Sequence, residues 1–143
     1  SELSDDLFRY RTGTTDSELL FLLALQFGLN DKPLEAMAKA AGFVEDLSND
    51  MLGYALLRFT AAFSDGKTLF AVRYATDAKA PTLYAAPVCG GNGHCLVSEP
   101  LNDEADTWVE IPDGSTVILN ERGMDVALFE PAVNWAARMR KAG

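Results

Sequence analysis

The sequence predicts an α+β fold, because two segments of helical character come first and segments of strand character follow them. The helical segments lie within residues 15–47, and the strand segments, rich in aromatic and β-branched residues, lie within residues 57–129. Another helix is expected from Ala132 to Lys141, since Pro131 suits a first helical turn. This order favours mainly antiparallel strands under helices rather than alternating βαβ units.

The first helix is predicted to begin at Thr15, because Thr15 and Glu18 have the spacing of a capping box. Its continuation, Leu19 to Phe27, is apolar on nearly every side. We therefore expect a core helix that ends at Gly28. A second, amphipathic helix is predicted for Leu34 to Leu47, where apolar residues recur at helical spacing.

Seven strands are predicted, with Gly-containing turns between several of them. The strongest turn signal is Asp65-Gly66, because both residues tolerate the positive φ of a tight hairpin. The strands are Leu57 to Phe63, Thr68 to Tyr74, Thr82 to Ala86, Cys95 to Ser98, Thr107 to Ile111, Ser115 to Leu119 and Met124 to Phe129.

Composition limits the possible functions. A length of 143 residues with 48% hydrophobic content suits a single domain, residues 1–143, or part of one. The formal net charge of -9 argues against nucleic-acid and membrane-surface roles. No apolar run approaches the roughly 20 residues of a membrane span, and the first residues do not resemble a signal peptide. A cytoplasmic location is therefore the expectation, and no cofactor is predicted.

Two other kinds of site are weighed and set lower. An N-terminal serine such as Ser1 is able to act as a nucleophile, but Ser1 leads into a polar stretch rather than a strand. Cys89, His94 and Cys95 do not suggest a closed zinc site, because neighbouring strand residues point to opposite faces and no fourth soft ligand exists. Reduced thiols are the preferred reading of both cysteines, and one disulfide between them stays open.

Four stretches of the sequence carry a family resemblance when taken together in order. They are Arg11 to Phe21, Arg58 to Gly66, Ala71 to Asp77 and Cys95 to Leu101. They resemble class II glutamine amidotransferases, the enzymes with an N-terminal cysteine, and are similar to a bacterial single-domain subgroup related to the enzymes of ergothioneine synthesis and glutathione breakdown.

The resemblance implies an αββα sandwich of the N-terminal-nucleophile type, of which this chain looks like the C-terminal half. In the family, the thiolate of an N-terminal cysteine attacks the glutamine amide and its own α-amino group serves as base. That cysteine is expected upstream of Ser1, so no catalytic residue is predicted here and the chain alone should be inactive. The implied partners are the N-terminal half of the same protein or a second copy of the chain.

The resemblance also implies a substrate role for Asp16, which in the family binds the α-ammonium of glutamine. Thr15 is expected in the wall of the same pocket. Arg73 and Glu99 are further substrate-binding candidates, with ordinary rim charges as the alternative. For Asp16 the alternative is a helix-cap acid. A different class of function, a non-catalytic binding or scaffold domain that retains the half-fold, also stays open.

Overall fold

The computed structural model describes residues 16–88, 93–104, 106–134 and 141. Two helices come first, and seven strands follow. Of these described residues, those at 16–55 and from 131 onward belong to one compact unit, and those between 56 and 130 form a second. The helices are α1 (Asp16–Gln26) and α2 (Pro33–Leu52). The strands are β1 (Arg58–Ser64), β2 (Leu69–Ala75), β3 (Tyr84–Pro87), β4 (His94–Val97), β5 (Val109–Glu110), β6 (Ser115–Asn120) and β7 (Gly123–Leu128).

Helix α1 ends at Gly28 as the sequence predicts. Gly28 has φ +98°. The N–H of Leu29 donates to the carbonyl of Ala24 at 2.9 Å, the bond of a Schellman C-cap. The expectation of a core helix is wrong for one side of α1. Leu20 and Leu23 are buried, but an outer face formed by Phe21, Leu22 and Leu25 is 37–48% exposed, because the described residues cover only one side of the helix.

Helix α2 is longer than predicted by one residue at its start and five at its end. Pro33 opens it at the position where a missing N–H costs nothing, and Gly53 ends it with φ +81°. Beyond Leu47 the apolar pattern is interrupted by the polar residues Ser48, Asn49 and Asp50, although the helix continues through them. A tilted aromatic contact joins the end of α1 to α2: the ring centroids of Phe27 and Phe43 lie 6.2 Å apart, with 54° between the ring planes.

Residues 131–134 pack against α2 instead of starting a helix. The N–H of Ala132 donates to the Ala38 carbonyl at 2.8 Å, and the N–H of Asn134 donates to an Asp46 carboxylate oxygen at 2.7 Å. A Cβ at Gly42 would lie 2.2 Å from the Ala132 carbonyl oxygen, so glycine permits this close approach. The predicted start at Ala132 is therefore wrong, and most of the rest of that helix lies outside the described residues.

The larger sheet is antiparallel, with strand order β1-β2-β6-β7. The predicted Asp65-Gly66 hairpin joins β1 to β2, and Gly66 has φ +92°. An Asp65 carboxylate oxygen accepts the N–H groups of Lys67 and Thr68 at 2.9 and 2.8 Å. These backbone bonds hold the pKa of Asp65 below its usual range, since they favour the ionised carboxylate.

The smaller sheet, with strand order β4-β3-β5, is also antiparallel. Its strands are short, and β5 keeps only Val109 and Glu110 of the predicted Thr107 to Ile111. Both sheets contribute to one apolar cluster, so their inner faces pack together. The cluster contains Ala71, Leu83, Ala85, Ile111, Val117 and Leu119.

The α+β prediction is confirmed, and each of the seven predicted strands has a counterpart. The αββα arrangement of the complete sandwich stays a prediction. Neither described helix is both long enough and apolar enough to cross a membrane.

Candidate functional site

The N-terminus of α1 falls at the predicted substrate site. The helix begins at Asp16, one residue after the predicted start at Thr15. Thr15 itself and the side chain of Asp16 lie outside the described part of the chain. A helix N-terminus carries a partial positive charge, which favours an ionised carboxylate within the first turn.

Arg73 lies on β2 and its side chain is 10% exposed, so it is not a charge on the rim. One guanidinium nitrogen donates to Glu110 at 3.0 Å and also to the Ile111 carbonyl, and the other terminal nitrogen donates to the Ala80 carbonyl at 3.3 Å. Its Nε has no hydrogen-bond partner among the described residues. Arg73 thus links β2 to the end of β5, and its role in substrate binding stays a prediction.

Glu99 borders a pocket of about 700 Å³ in the second unit. The position of Tyr84 shows on which side of the three-stranded sheet the pocket lies. Side chains alternate along a strand, so Tyr84 projects from β3 away from buried Ala85 and the apolar cluster. The pocket therefore lies on the outer face of the three-stranded sheet. Its lining residues are Thr82, Tyr84, Glu99, Pro100, Asn102, Asp103 and Trp108.

Hydrogen bonds hold the wall of this pocket. The Asn102 side-chain oxygen accepts the Trp108 indole N–H at 3.0 Å and the Glu104 backbone N–H at 3.1 Å. The Thr82 hydroxyl donates to the Ser98 carbonyl at 2.7 Å. This bond joins the start of the loop between β4 and β5 to the residues that precede β3. The indole ring is therefore positioned by a specific bond.

Only one of the predicted site residues lines the pocket. Glu99 lines it, Arg73 does not, and Asp16 belongs to the other compact unit. Cys95 is half-buried and its thiol is free, which agrees with the preferred reading of a reduced cysteine. His94 is exposed, and Cys89 lies outside the described residues. Within the described ranges, no three His, Cys, Asp or Glu side chains are grouped closely enough to hold a metal ion.

Eight chains of solved structures resemble this chain, and two of them show what it is similar to. A glutamine aminotransferase class-II domain protein from Silicibacter pomeroyi is 40% identical, with a TM-score of 0.73, over 90% of this chain and 57% of its own. The glutamine phosphoribosylpyrophosphate amidotransferase from B. subtilis, solved with ADP and GMP, has 15% identity and a TM-score of 0.52 over 92% of this chain and 27% of its own. The resemblance to class II glutamine amidotransferases is confirmed.

The second structure supports the fold alone, because its identity is low. The chain spans little more than half of the S. pomeroyi protein, so the residues of an amidotransferase site need not all lie within it. No family model matches the sequence, and no curated protein does.

Sequence reasoning missed most of the pocket. Tyr84, Asn102, Asp103 and Trp108 were not singled out. Asn102 and Asp103 follow Pro100 in a polar loop, and Trp108 stands just before a strand. An aromatic residue next to an acidic loop was the available signal, but nothing in that pattern shows which strand the loop will face.

Proposed function

We propose that this chain is the C-terminal part of a class II glutamine amidotransferase that hydrolyses the side-chain amide of glutamine or of a γ-glutamyl compound. The observation that carries the proposal is the 40% identity with the S. pomeroyi class-II domain protein over 90% of this chain. The four sequence stretches identified above resemble class II glutamine amidotransferases as well. Residues 1–143 are accordingly proposed to be part of one amidotransferase domain.

In this proposal, the nucleophile comes from residues outside these 143. A cysteine thiolate attacks the amide carbon, and the nearby α-amino group transfers the thiol proton to the departing nitrogen, so ammonia or an amine leaves. Water then hydrolyses the thioester and releases the γ-carboxylate. No residue of this chain has a catalytic role in these steps, and the chain alone is inactive.

The contribution of this chain is the site for the substrate's α-ammonium group, with Asp16 as the anion that binds it. The start of α1 at Asp16 supports this role, since the helix dipole favours the ionised form of an acid in the first turn. A charged carboxylate accepts strong hydrogen bonds from an ammonium group. Thr15 is proposed to form part of the wall beside it.

The test is the kinetics of glutamate release by the complete gene product and its Asp16→Asn variant. We expect the KM for glutamine to rise about tenfold or more, since one charge-assisted bond is worth roughly 1.5–3 kcal/mol. Asp31→Asn is the matched control, because Asp31 is an exposed acid in the loop after α1. A lower Tm with an unchanged KM would instead identify Asp16 as a helix-cap acid.

We also propose that the partner of this chain binds at strand β7, by pairing with its edge. β7 pairs only with β6 in the described sheet. Val126 and Leu128, two residues apart on its inner face, are 45% and 72% exposed. A strand edge with exposed apolar residues readily pairs with another chain. The partner is the N-terminal half of the same protein or, for the isolated 143-residue chain, a second copy; a stable monomer in light scattering would contradict this.

A further inference from the structure

The outer-face pocket contains two carboxylates that have no cation beside them. Glu99 and Asp103 are exposed, and neither takes part in any ion pair formed by the described residues. By contrast, Asp77 is bound by the guanidinium of Arg58, whose hydrogen bonds hold the pKa of Asp77 below its usual range. The pocket therefore presents net negative charge in a protein whose formal net charge is already -9.

The same pocket has an aromatic wall that is held in place. The Trp108 indole N–H donates to the Asn102 side-chain oxygen, so this polar edge of the ring is already bonded. Tyr84 is half-buried on β3 and lines the same space. Indole and phenol faces attract cations within about 6 Å of the ring centre, most strongly when the cation sheds its water.

We propose that this pocket binds an organic cation, an ammonium or guanidinium group carried on a short apolar stem. The carboxylates accept the N–H bonds, and the aromatic wall covers the stem. A volume of about 700 Å³ lies within the range of small-molecule sites. A bare metal ion fits less well, because it requires several converging ligands and gains little from an indole ring.

This inference concerns residues 82–108 and does not rest on the proposed glutaminase activity. The experiment is isothermal titration of the complete gene product with 1,4-diaminobutane at low ionic strength. 1,4-Butanediol tests the need for charge, and MgCl₂ tests for simple counterion attraction. We expect saturable binding of the diamine and none of the diol or of Mg²⁺. Equal binding of the diol or of Mg²⁺ would overturn the proposal. The absence of diamine binding would overturn it as well, and is the result expected if the rest of the protein fills the cavity.

Variants then locate the binding. We expect Glu99→Gln and Asp103→Asn each to weaken diamine binding about tenfold, the worth of one charge-assisted bond. Trp108→Leu should weaken it as well, and Trp108→Phe, which keeps an aromatic face, should weaken it less. Glu121→Gln is the matched control, because Glu121 is an exposed acid in the β6–β7 turn.

Thermal unfolding of each variant shows whether it is folded before its affinity is compared. Unchanged affinity in folded Glu99→Gln and Asp103→Asn would overturn the proposal. Glutamate release measured on the same preparations tests the amidotransferase proposal separately, because diamine binding can be lost while glutamate release persists, and the reverse.

Discussion

The inner face of the three-stranded sheet carries Ala85 and packs into the apolar cluster, whereas its outer face carries Tyr84 and borders the pocket. Between the two sheets, the two terminal guanidinium nitrogens of Arg73 donate to Glu110 and to two backbone carbonyls. On the outer face, Glu99 and Asp103 have no ion-pair partner among the described residues. Charge on the inner side therefore serves the fold, and charge on the outer side is available to a ligand.

The largest effect on stability should come from the apolar cluster. Ile111 is 1% exposed there, so Ile111→Ala should lower the free energy of unfolding by about 3 kcal/mol through lost burial and a residual cavity. Val109→Ala is the matched control. Val109 lies two residues before Ile111, on β5, and is 55% exposed, so its truncation should cost about 0.5 kcal/mol or less. Urea unfolding of the complete gene product measures both. Equal costs would show that the two sheets do not share a core.

A smaller effect should come from Arg73. Arg73→Met keeps most of the side-chain volume but removes the donors to the Ile111 and Ala80 carbonyls, and should cost about 2 kcal/mol. Glu99→Gln is its counterpart on the outer face and should change stability by about 0.5 kcal/mol or less. The same unfolding assay compares them. A smaller loss for Arg73→Met than for Glu99→Gln would reverse the assignment of structural and ligand-binding charge.

Local signals in the sequence predicted the elements well. The Asp65-Gly66 turn was predictable because the positive φ it needs suits few residues, and Gly66 adopts it. The start of α1 was predictable from the capping spacing of Thr15 and Glu18. Both depend on residues within one turn of each other, so no tertiary information was required.

Long-range features were not predictable in the same way. The exposure of Phe21 and Leu25 on α1 depends on what lies beside the helix, and an apolar sequence does not show that. The sequence did not indicate that Arg73 is buried. Its hydrogen-bond partner Ile111 is distant in sequence and follows another strand, and Ala80 lies beyond the end of β2. The pocket was missed for the same reason: Tyr84 and Trp108 line one space only because of the strand order and the loop between β4 and β5.

We propose that this chain is part of a glutamine amidotransferase. The experiment that tests this proposal is glutamate release by the complete gene product from glutamine and from a panel of γ-glutamyl compounds, beside the isolated 143-residue chain. We predict release from at least one of these amides by the complete protein and none by the isolated chain. No cleavage of any amide by the folded complete protein would contradict the claim and would favour a non-catalytic binding or scaffold domain.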